Sequence, residues 1–72
     1  MNILIFKTNI RSKSKIDRLK PVFNQHPAIL KWGVDTQDID NVLRIEARQG
    51  IKEAEVVEMV NEYGFHCEDL PD

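Results

Sequence analysis

Apolar and polar positions along this chain fall into short bursts, and the spacing within each burst predicts its element. In "NILIFKT" (Asn2–Thr8) β-branched and aromatic residues run together and stop at a polar break, which predicts a strand. Both alternating sides are apolar, Ile3 and Ile5 on one and Leu4 and Phe6 on the other, as in a central strand covered on both faces. The period then becomes helical. Ile16, Leu19 and Phe23 recur with Val22 beside them, and Ser12 or Ser14 can cap the start by accepting from a first-turn amide. Pro21 sits inside this pattern and predicts a kink rather than a stop, because the periodicity continues past it. "NQHP" ends the helix.

"AILKWGVD" (Ala28–Asp35) and "VLRIEA" (Val42–Ala47) predict two strands joined by the turn-forming "TQDIDN". Ile29, Trp32 and Val34 share one buried face only if the alternation slips at Leu30, so a bulge or register shift is expected there. Leu43, Ile45 and Ala47 form the matching face of the next strand. Gly50–Gly64 is the clearest helix: Val56, Val57, Val60 and Tyr63 make a stripe, acids load the first turn, and Gly64 supplies the terminating position. "FHCEDL" (Phe65–Leu70) predicts a last short strand. The order βαββαβ predicts an α+β, ferredoxin-like sandwich with a four-stranded antiparallel sheet and two helices on one face. On the open face, Leu4 and Phe6 are expected to project between Lys31, Arg44, Glu46 and Glu68 as an apolar spot rimmed by charge. Such a spot suits a protein partner or a weak homodimer.

At 72 residues the chain is expected to be one domain, 1–72, that buries only roughly 60% of its unfolded surface. Cys67 is the single cysteine, which excludes an intrachain disulfide and fits a reducing, cytoplasmic setting. The N-terminal apolar run is too short for a signal peptide or a membrane span. Net charge is −2, but it is unevenly spread. Lys7, Arg11, Lys13, Lys15, Arg18 and Lys20 all precede residue 21 with only Asp17 among them, and eleven of the twelve acids lie from Asp35 onward. A basic end or edge is therefore expected.

The stretches "HPAILKWGVD", "VLRIEA", "EVVEMVNEYGF" and "CEDL" resemble, in order and spacing, the heavy-metal-associated (HMA) domain of small copper chaperones and of metal-transporting P-type ATPases. Together they cover nearly the whole chain. The resemblance implies a metal loop, M-x-C-x-x-C, between the first strand and first helix, where two thiolates hold a soft ion such as Cu(I). This chain departs from the family at that motif. Asn9 and Ser12 stand at the two cysteine positions and Lys7 at the methionine position. Hard neutral oxygens are poor ligands for a soft cation, and Arg11, Lys13 and Lys15 repel an approaching one. The expectation is a non-enzymatic HMA-like domain that has lost its metal ligands, carries no cofactor, and serves as an interaction or regulatory module.

Two alternatives follow from the residues. The first is metal held by non-standard ligands, for which His66 and Cys67 are the weak candidates, although adjacent strand residues face opposite ways. Arg11, Ser12, Lys13 and Ser14, ahead of a helix start, could instead cradle an anion. "DTQDID" lacks the glycine turn and distal glutamate of a calcium loop and reads as a polar hairpin. Catalysis has little to stand on. Arg11 and Asn41 could play the Arg and Asn of acylphosphatase-type enzymes, but the glycine-rich anion loop is missing. Nucleic-acid binding lacks stacking aromatics on the sheet and a positive net charge.

Overall fold

The computed structural model describes residues 2–70. Its elements are β1 (Asn2–Thr8), α1 (Lys13–Asn24), β2 (Ile29–Asp35), β3 (Val42–Ala47), α2 (Glu53–Glu62) and β4 (Cys67–Asp69). The strands form one sheet in the order β2-β3-β1-β4, and every neighbouring pair is antiparallel. Leu19 and Phe23 of α1 and Val56 and Val60 of α2 join Leu43, Ile45 and Ala47 of β3 in one core. Both helices therefore cover the same face, and the expected βαββαβ sandwich is the fold observed.

Each helix is ended by chemistry visible in the residues. Ser12 caps α1 in an extended conformation, its Oγ accepting from the Lys15 N–H at 3.4 Å. The helix runs through Pro21 to Asn24, and the Gln25 N–H donates to the Pro21 carbonyl at 3.3 Å. At the end of α2, Gly64 takes φ 85°, the Gly64 N–H donates to the Asn61 carbonyl, and the Phe65 N–H reaches back to the Val60 carbonyl. This double bond through a left-handed glycine is a Schellman motif, with Phe65 and Val60 both in the core. Tyr63 is consequently not part of the buried stripe. It lies just past the last helical residue and is 40% exposed, and Phe65 fills the core in its place.

The expected slip in β2 is present. The register against β3 shifts between Ile29 and Lys31, so Ile29, Trp32 and Val34 share the inner face while Leu30 is left outside. Trp32 then stacks at a tilt on Phe23, centroids 5.0 Å apart, and its Nε1–H donates to Asn24 Oδ1 at 2.8 Å, fastening β2 to α1.

The face assigned to β1 is the opposite of the one expected. Leu4 and Phe6 lie beneath the helices, 8% and 0% exposed, because they stand opposite Ile45 and Leu43, which also point inward. Ile3, Ile5 and Lys7 project from the open face instead, with Ile5 opposite Arg44 and Ile3 opposite Glu46. Leu4 and Phe6 are core residues and form no interface.

Candidate functional site

The segment between β1 and α1 is where the resemblance implies a metal loop, and its side chains are largely committed to holding the fold. Thr8, buried on the inner row of β1, donates from Oγ1 to the Asn41 carbonyl at 2.6 Å and accepts from the Ile10 N–H at 3.2 Å. Asn41 presents that carbonyl from a left-handed conformation, φ 44°, which asparagine tolerates better than most residues. Ile10 is fully buried and anchors the loop from within. Asn9 extends the β1–β4 pairing by one step: its N–H donates to the His66 carbonyl at 3.4 Å, and its Oδ1 accepts from the His66 N–H at 2.8 Å. Ser12 Oγ caps α1 and also lies 3.1 Å from Ser14 Oγ.

Asn9 and Ser12 thus each spend a side-chain oxygen on a backbone amide. These oxygens are hard, neutral and already hydrogen-bonded, a donor set that does not fit a soft cation. Arg11, Lys13 and Lys15 around them are exposed and make no ion pair among the described residues. Arg18, one turn on, lays its guanidinium over the Phe65 ring at 5.2 Å. Lys7 meets Asp40 at 3.6 Å, tying β1 to the hairpin.

His66 and Cys67 point to opposite sides, as their adjacency in the chain requires. His66 is exposed, with Nε2 2.9 Å from Glu68 Oε1. Cys67 is 4% exposed, on the inner face opposite Thr8, and burial first, then the nearby Asp69 and Glu68 carboxylates, push its thiol from 9.0 up to about 11. A thiol so reluctant to ionise is a poor metal ligand and a poor nucleophile. Among the described residues no group of three or more His, Cys, Asp or Glu is placed to hold a metal ion. The aspartates of "DTQDID" instead build a turn: Asp35 Oδ1 accepts from the Gln37 and Asp38 N–H groups, and Asp38 Oδ1 from that of Asp40.

The backbone superposes closely on chains of known structure. A chain of the Atx1–Cu(I)–Ccc2a complex superposes with a TM-score of 0.85 at 14% identity, covering 100% of this chain and 99% of that one. The two chains share one fold. The yeast copper transporter domain Ccc2a, solved in apo and Cu(I)-loaded states, gives 0.83 at 14% identity over 100% and 99% of the two chains. A third chain, from a structure concerned with crosstalk between Cu(I) and Zn(II) homeostasis, gives 0.81 at 10% identity over 97% and 100%. No protein-family model and no curated protein sequence matches the chain. At these identities the likeness is one of fold. Among the described residues no helix is long and apolar enough to cross a membrane.

Thr8 and Ile10 are residues of this region that the sequence reading passed over, and Asn41, weighed there only as a catalytic asparagine, serves instead through its backbone carbonyl. A signal was present for the first: Thr8 shares its parity with Leu4 and Phe6, so a threonine closing an inward row needed a buried partner.

Proposed function

We propose that this chain is an HMA-like domain whose metal loop has been converted into a structural joint, and that it acts without catalysis as a cytoplasmic protein-interaction module. The observation that carries this reading is the fate of the two ligand positions. Asn9 binds the backbone of β4 and Ser12 caps α1, so the oxygens that replaced sulfur hold the fold together. The anion reading of Arg11, Ser12, Lys13 and Ser14 is weaker, because Ser12 Oγ already occupies the Lys15 N–H that an anion at the helix start would use. The non-standard metal reading is weaker still, since Cys67 is buried and His66 faces away from it.

With the loop closed to metal, the surface left for function is the open sheet face. Ile3 is 47% exposed there and Ile5 lies half-buried beside it, within a rim of Lys7, Arg44, Glu46 and Glu68. An apolar centre inside a charged rim of both signs is the usual composition of a protein contact. Elemental analysis of the purified protein tests the reading. It predicts no stoichiometric copper or zinc, and one equivalent of either retained through chelator-free purification contradicts it.

A further inference from the structure

The hairpin between β2 and β3 holds Ile39 out in water, 94% exposed. A single exposed isoleucine is ordinary. This one stands on a loop braced at both ends, and its chain neighbour Asp38 lines a groove. The Asp35 and Asp38 side chains tie the turn, the Asn41 N–H donates to the Asp38 carbonyl at 3.0 Å, and the Asn41 carbonyl is held by Thr8.

The groove is a shallow depression of about 450 Å³ on the open face of β2 and β3. Gly33 forms its floor, and the space above it is open: a Cβ built there would meet nothing within 4 Å. Val42 supplies an apolar wall. Arg44, opposite Gly33, is occupied with Glu46 at 3.4 Å. Lys31 lies at one end, across from Glu46 of the Arg44 pair, and Asp35 with Asp38 at the other, and none of Lys31, Asp35 and Asp38 makes an ion pair among the described residues.

A groove positive at one end and negative at the other is complementary to itself under a two-fold rotation, which exchanges the ends. We propose that the chain forms a two-fold dimer through this face, each copy seating Ile39 in the groove above Gly33 of the other. Asp38 of one copy then approaches Lys31 of the second. Pairing of β2 edge to edge is disfavoured by the register shift at Leu30, which interrupts the edge. The groove takes up only the β2 and β3 side of a molecule measuring 28 × 27 × 18 Å, so the shared face is smaller than a standard interface. A dissociation constant of about 0.1–1 mM is expected. The proposal rests on the interaction-module reading but not on the state of the metal loop.

Sedimentation from about 10 μM to about 2 mM spans that constant. The parent should pass from monomer to dimer. Ile39→Ser removes the knob, and Gly33→Val raises the open floor of the groove in a strand that favours valine. Each variant should weaken association at least about tenfold. Mixing the two is decisive, because the knob of the Gly33→Val copy can enter the intact groove of the Ile39→Ser copy. The mixture should therefore associate more tightly than either variant alone. A parent that stays monomeric at the highest concentration leaves Ile39 to some other protein and overturns the proposal. So does a variant that dimerises like the parent, or a mixture no tighter than its components. Copper binding would overturn the functional reading while leaving each of these results unchanged.

Discussion

Cys67 gives the sharpest quantitative test of how this small core is closed. Its thiol is pushed from 9.0 to about 11, chiefly by burial against the inner face of the sheet, then by Asp69 and Glu68. Between those two values the folded chain keeps a proton that the unfolded chain has released, so folding stability falls as pH rises. The contribution is fully present below about pH 9 and is lost as pH passes through about 11. A displacement of that size corresponds to about 2–3 kcal/mol. For a domain of this length total stability is about 4–11 kcal/mol, so the loss is a large fraction of the whole. The assay is urea unfolding at pH 8 and pH 10.5, comparing the parent with Cys67→Ala. Other groups titrate in both proteins and cancel in the comparison. The parent should lose about 2 kcal/mol more than the variant over this range. At pH 8 the native thiol should also alkylate about 100-fold more slowly than in denaturant, from its smaller thiolate fraction alone. Parallel losses in parent and variant, or equal alkylation rates folded and unfolded, would refute a buried, high-pKa Cys67.

Three further outcomes follow from the same geometry. Phe6→Ala should destabilise the fold by about 3–5 kcal/mol while Ile3→Lys stays within about 0.5 kcal/mol, and thermal melts showing the reverse order would put β1 the other way round. Ser12→Ala should lose about 0.5–2 kcal/mol through its cap while Ser14→Ala loses little, so equal urea midpoints for the two would remove Ser12 from that role. The double change Asn9→Cys and Ser12→Cys should create a Cu(I)-binding thiolate pair, helped by the amides at the start of α1, and failure of the folded variant to bind one Cu(I) would mean that the loop does not follow the family's spacing.

The fold was legible because the local signals agreed with one another. The Leu30 slip and the Gly64 stop are local in sequence and lie where the pattern predicted them, and the cap falls on Ser12, one of the two serines the pattern offered. The parity of β1 was not read correctly, although a clue was available. Lys7 belongs to the row of Ile3 and Ile5, and a row ending in lysine is the one that meets solvent. When both rows of a strand are apolar, the choice passes to the partner strand, and Leu43, Ile45 and Ala47 on β3 draw Leu4 and Phe6 inward. Tyr63 was placed on the stripe by extending the helical period one residue beyond the end of α2. The Asn9 bond to His66 spans 57 residues. It exists only because β1 and β4 pair in one register, and no local pattern announces it. The same holds for the Thr8 contact with Asn41, 33 residues away.

The central claim is that Asn9 and Ser12 have turned a metal loop into a structural joint. Titration of Cu(I) into the parent against a strong colorimetric Cu(I) chelator, repeated with Cys67→Ala, tests it most directly. The account predicts that the chelator keeps its copper in both cases, with any weak competition by the parent abolished by Cys67→Ala. One equivalent of tightly held Cu(I) that survives Cys67→Ala would contradict it.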